Sequence, residues 1–158
     1  MTWRGSTTTQ DKIFASLAYL LPLLDAFPFG QFLIRQFPIF GLIYVPLQPL
    51  LAIYYGMQFA SLIIFFVLFL AVVRNERIAH FIRFNVMQAI LIGIILALVG
   101  MAFQFLGRIL NDGLLAQTLF NIIFLGTLAA SFYGIVQSIM GKYAEIPGIS
   151  EASYLQVR

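Results

Sequence analysis

Cysteine is absent from this chain, which excludes a disulfide framework, a thiolate nucleophile and any Cys-based metal site, and leaves the redox compartment open. Charge is scarce: nine Lys and Arg, six Asp and Glu and a single His in 158 residues. One histidine and six scattered acids supply no ligand cluster, no buried acid pair and no serine with a base in reach, and there is no P-loop or dinucleotide glycine fingerprint. The sequence therefore points away from an enzyme and implies no cofactor and no bound metal. Nucleic acid is an equally poor partner. The net charge of +3 comes from basic residues standing singly between apolar runs, without a basic stripe or an aromatic stacking platform. No repeat relates the two halves, as it does in many secondary transporters.

Apolar residues fill the space that charge leaves. They make up 61% of the chain against 9% charged, where soluble domains hold about 45 to 50% and about 25%. A hydrocarbon core about 30 Å thick takes roughly 20 helical residues to cross. Four runs qualify, at about 13–32, 51–73, 86–106 and 115–140. Only helices satisfy their own backbone groups in such surroundings, so the expected fold is all-α: a polytopic membrane protein with four transmembrane helices plus short interfacial helical segments, in one membrane domain over 1–158. The start, MTWRGSTTTQDK, is short and polar, and no small-residue cleavage site follows it, so the first run is expected to be retained. Nothing resembles a transit peptide, which fits a bacterial, organelle-encoded or already trimmed chain.

Residues 27–50 are apolar but carry Pro28, Pro38, Pro46 and Pro49, each removing a backbone donor. A straight helix is not expected here. The rings of Phe27, Phe29, Phe32, Phe37, Phe40 and Tyr44 suit the headgroup boundary, giving a segment that is interfacial or re-entrant. Asp25, the one acid inside a span, lies near this break and reads as a cap or an interfacial carboxylate, with a proton relay as the second reading.

Four crossings place Arg4, Lys12, Arg74, Arg77, Arg83, Lys142 and Arg158 on one side and Arg35 and Arg108 on the other. This asymmetry predicts that both termini and the basic loop 74–85 face the cytoplasm, or the stroma of a plastid. On a helical wheel Glu76, Arg77, His80 and Arg83 share one arc, so the loop is expected to anchor topology, with a lipid or partner site as the alternative and His80 as a pH sensor the lesser one.

Small residues mark the expected packing faces. Gly126, Ala130, Gly134 and Ser138 recur every four residues on the fourth run, and Ala89, Gly93 and Ala97 on the third, followed by Gly100. Such stripes let backbones approach closely in lipid. The neutral polar residues Gln88, Gln104, Asn121, Ser131 and Gln137 read as interhelical glue. A hydrated path through Gln88, Gln104, Asn121 and Gln137 is the second reading.

Several stretches in order add a resemblance. They are AYLLPLLD with Gly30 and Gln36-Phe37-Pro38, then PLQPL, then VVRN at Val72–Asn75, FIRFNVMQAIL from Phe81, and the tail AEIPGISEASY from Ala144 to Tyr154. Together they resemble the channel-forming twenty-kilodalton subunit family of the translocon at the inner envelope membrane of chloroplasts (TIC), including its cyanobacterial and plastid-encoded members. The resemblance implies four membrane helices, both ends stromal or cytoplasmic, and residence in a plastid inner envelope or a cyanobacterial plasma membrane. It also implies a part in preprotein transport, with other translocon subunits or further copies of the chain as partners besides membrane lipid. Many members carry an acid where this chain has Gly93, which weakens a cation path along the third helix. Two other readings stay open: a permease for small solutes such as amino acids, and a non-conducting assembly or scaffold subunit.

Overall fold

The computed structural model describes residues 7–111 and 113–157, so Arg4 and Arg158 of the charge count lie outside it. The first helix opens on a reciprocal cap: Asp11 N–H donates to Thr8 Oγ1 at 3.2 Å and Thr8 N–H to Asp11 Oδ2 at 3.0 Å. Helices α1 (Thr9–Ala18) and α2 (Leu20–Ala26), a 3-10 turn over Phe27–Gly30 and α3 (Gln31–Gln36) then run on as one apolar span of 28 residues. At 1.5 Å per residue that is about 42 Å, enough to cross. Its irregularities have covalent causes. Pro22 offers no N–H to the turn before it, and the chain tightens at Tyr19, whose N–H reaches Ser16 O at 3.2 Å. Pro28 likewise leaves Leu24 O without its helical donor, so Phe27 N–H turns to Leu24 O and the 3-10 turn follows.

The expected continuous helix over 51–73 is corrected. A 3-10 stretch, Pro38–Tyr44, and α4 (Gln48–Gly56) meet at an 80° bend. Pro38 and Pro49 each sit in the first turn of a new helix, where no N–H is needed. After α4 the chain breaks again at Phe59, which adopts a left-handed φ of 63°, before α5 (Ala60–Leu68) and a π-turn over Phe69–Val73. The 14 residues from Ala60 to Val73 span only about 21 Å, less than a hydrocarbon core. Tyr44, expected in the headgroup layer, is 1% exposed and packs inside the bundle.

The other two spans are long single helices, α6 (His80–Leu110, 31 residues) and α7 (Leu114–Ile139, 26 residues). Because α6 starts at His80, the second half of the expected basic loop is helix. At the end of α7, Gly141 (φ 73°) closes a cap in which Gly141 N–H donates to Ser138 O and Lys142 N–H to Gln137 O. The short α8 (Ile149–Gln156) folds back onto α6. The outward faces are greasy: Phe105, Ile109 and Leu114 are 79%, 77% and 81% exposed, a surface that lipid covers and water would not tolerate. With its all-helical course and its long apolar helices, the chain is a polytopic membrane protein.

The two small-residue stripes were expected to be packing faces. At Gly134 and Gly93 both receive the first span. A Cβ on Gly134 would collide with the ring of Tyr19, and one on Gly93 would lie 2.7 Å from Asp25 Oδ2. The first span returns the favour at Gly30, where a Cβ would meet the Phe124 ring at 2.6 Å. Ala89 and Ser138 are buried, Ala130 is half-buried, and Ala97 and Gly126 are exposed, with open space where a Cβ on Gly126 would stand. The substitution Gly134→Leu should therefore lower stability by at least about 1–3 kcal/mol, through overpacking against Tyr19. Gly126→Leu should leave it nearly unchanged. Thermal unfolding of the two variants in detergent checks this, and equal melting would contradict the packing described.

Candidate functional site

At the end of the bundle where the basic residues gather, polar side chains from four parts of the chain meet in a buried knot. Tyr19 Oη donates to Asn85 Oδ1 at 2.6 Å, and Gln88 Nε2 donates both to Tyr19 Oη and to Ala144 O, each at 2.9 Å. Ser138 Oγ donates to the same Asn85 oxygen at 3.3 Å, while Asn85 Nδ2 reaches back to Phe81 O at 2.8 Å. The acceptors Ala144 O and Phe81 O fix which way both amides point. Tyr19, Asn85, Gln88 and Ser138 are all fully or almost fully buried, and Gln88 Oε1 is left without a donor. The knot ties α1, α6, α7 and the tail together. Over it lies an aromatic lid of Phe81, Phe84, Tyr143 and Tyr154, with His80 Nδ1 2.8 Å from Tyr143 Oη.

Arg83 does not join a surface arc, which corrects the expectation. It is 7% exposed, and its Nε donates to Val73 O at 2.9 Å, fastening the end of the short second crossing onto α6. The cause is register: once α6 begins at His80, Arg83 falls on the face that packs against the π-turn. Arg74 and Arg77 stay exposed in the turn before it.

The second polar constellation lies at the break in the first span. With Pro28 unable to donate and Phe27 N–H diverted to Leu24 O, the carbonyl of Leu23 loses its helical donor, while that of Leu24 keeps one backbone donor and a free lone pair. Tyr44 Oη donates to Leu23 O at 2.9 Å and Tyr55 Oη to Leu24 O at 2.5 Å. Tyr54 Oη donates to Asp25 Oδ1. Three tyrosines from one bent segment thus dock three consecutive residues of the first span. Asp25 was expected near the water exit, but it stands in the middle of the Thr9–Gln36 span, because that helix continues past residue 32. Its other oxygen looks across the gap at Gly93, the position where the resemblance implied an acid. Asp25, Tyr54, Ser61 and Gly93 line a cleft of about 280 Å³.

The four amides considered as a path are not brought together. Gln88 is consumed in the knot; Gln137 is half-buried one residue from Ser138; Gln104 is exposed on the outer face of α6; and Asn121 is half-buried on α7 with Oδ1 unpaired. Sequence reasoning missed the tyrosines. The signal available for Tyr19 was Gly134 beside Ser138, a notch that wants a ring; for Tyr44 it was the need of a proline-orphaned carbonyl for a donor.

Comparison with known proteins follows the same ground. The family model described as chloroplast import apparatus Tic20-like matches residues 10–153. A Tic20 family protein of Synechocystis sp. is 57% identical over 150 residues, covering 94% of each chain. The Tic20 family protein Ycf60 of Gracilaria tenuistipitata var. liui is 36% identical over 157 residues, 95% of this chain and 76% of the relative. Protein TIC 20-II, chloroplastic, of Arabidopsis thaliana is 30% identical over 154 residues, 96% of this chain and 74% of its own length.

The knot carries a stability prediction. Tyr19→Phe removes one hydroxyl that both donates and accepts, leaving Asn85 Oδ1 with Ser138 and Gln88 Nε2 with Ala144 O as their remaining partners across the buried knot, and should cost about 1–2 kcal/mol. A lowered melting temperature in detergent checks it; an unchanged one would show that the knot contributes nothing.

Proposed function

This chain belongs to the Tic20 family, and from that premise we propose that it works as an integral membrane subunit of a protein translocation channel or of the cyanobacterial forerunner of one. The family match over nearly the whole chain carries the reading. The divided second crossing supports it, because a short α5 beside a broken α4 leaves a lateral seam in the bundle that a continuous helix would seal. The described residues of one copy enclose no wide conduit: the centre is filled by Tyr19, Tyr44, Phe84 and Phe124. Further copies or other subunits are needed to complete a wall, and the preprotein is the substrate in this reading. Its role is passage rather than catalysis.

In the membrane the knot end faces the cytoplasm or stroma. Lys12, Arg74, Arg77, Arg83 and Lys142 all belong to that end, while Arg35 and Arg108 belong to the opposite one, beside the depressions lined by Gln31 and Phe120. That imbalance favours retention of the knot end on the side of synthesis. Arg74 and Arg77, exposed in the turn, are then placed to meet anionic lipid or the soluble parts of partners.

Purification of the tagged chain from its native membrane in mild detergent, followed by identification of co-migrating proteins, tests the proposal. Recovery with other transport subunits or with further copies of itself is the expected result. A lone monomer, with tracer amino acid uptake after reconstitution into liposomes, would replace the translocation reading with a permease.

A further inference from the structure

Resting on the translocation reading, we propose that the cleft between α2, α5 and α6 is a seat for an apolar peptide segment carrying one cationic side chain, whose ammonium or guanidinium group meets Asp25. The cleft holds about 280 Å³, the scale of a side chain and its neighbours rather than of a whole helix. Its walls are apolar, with Leu21, Phe65 and Ile90 inside and Leu62, Ile94 and Ala97 at a mouth that opens toward lipid. The only polar groups among its lining residues are the Asp25 carboxylate and the hydroxyls of Tyr54 and Ser61.

A structural role does not account for this carboxylate. The docking of Tyr54 uses Oδ1 alone, and an amide oxygen would accept that hydroxyl equally well, without placing an ionisable group at mid-span, where it is costly. Oδ2 is turned instead toward the α6 wall, and it fits there because residue 93 is glycine: a Cβ would stand 2.7 Å from it. No Lys or Arg is among the lining residues, and the chain's described basic residues belong to the two ends of the bundle. A cation able to meet this carboxylate is therefore one that a ligand brings. An apolar slot with a single acid on its wall selects a segment that is greasy except for one positive group, and it admits such a segment sideways, from the bilayer.

The absence of cysteine makes the test direct. The full chain with Ala97→Cys as its sole thiol is placed in phosphatidylcholine nanodiscs and offered a Leu/Ala peptide with one central Lys and a Cys one helical turn away. Disulfide crosslinking should be strong for this peptide and fall by at least about tenfold when its Lys is replaced by Gln. The same loss is expected when the protein carries Asp25→Asn, a change that keeps the acceptor for Tyr54. Equal crosslinking of the Lys and Gln peptides by the chain with its acid intact overturns the proposal, and this comparison holds even should the Asn variant fold poorly. Crosslinking reports occupancy of the cleft and co-purification reports membership of an assembly, so failure of one is distinguishable from failure of the other.

Discussion

In a bilayer every backbone carbonyl has to find a donor within the protein, and the first span breaks that rule at its centre. Pro28 withholds an N–H, the turn tightens so that Phe27 N–H goes to Leu24 O, and Leu23 is left with a carbonyl that lipid cannot serve. The rest of the fold can be traced from how that deficit is met. Tyr44 supplies the missing donor to Leu23 O and Tyr55 adds a second one to Leu24 O, so the segment carrying them cannot lie on the surface; it has to re-enter to the level of the break. Having started from the Arg35 end and reached mid-depth as α4, the chain has little distance left. A left-handed residue at Phe59 redirects it, and a helix of 14 residues completes the return. The short second crossing thus follows from the proline of the first span together with the breaks at Pro38, Pro49 and Phe59.

The opposite end obeys the same rule by another route. Asn85 and Gln88 are amides inside a helix that ought to be greasy, and each is matched by a partner distant in the chain: Tyr19, Ser138 or the carbonyl of Ala144. Arg83 answers the last carbonyl of the π-turn. Polar groups inside lipid are costly alone but hold helices together when paired. The resulting bundle is tied together at the knot and divided at the break.

Hydropathy and charge were enough to read an all-helical membrane protein, because long apolar runs have few other physical solutions. Motif order was enough to read the family. The start of α6 was not legible. Any average over His80–Gln88 is lowered by Arg83, Asn85 and Gln88, and nothing nearby says that each is satisfied from more than fifty residues away or by the turn before the helix. The small-residue stripes showed where close approach occurs but not what approaches; spacing is a property of one helix, whereas Gly134 is explained only by Tyr19 and Gly93 only by Asp25. The prolines of 27–50 announced a break, yet aromatic rings near prolines look the same at an interface as in a re-entrant segment. What separates the two is whether the tyrosine hydroxyls point to water or to orphaned carbonyls, and one-dimensional sequence does not hold that information.

The depth of α4 is the point on which this account stands. A spin label on Ile53→Cys, an exposed position on that helix, can be ranked in a bilayer by its collisions with oxygen against those with a water-soluble nickel chelate. The re-entrant fold predicts a depth matching a label at Ile95 in the middle of α6. A label at Ile53 that instead reported the headgroup layer would contradict it, and with it the docking of the tyrosines onto the broken helix.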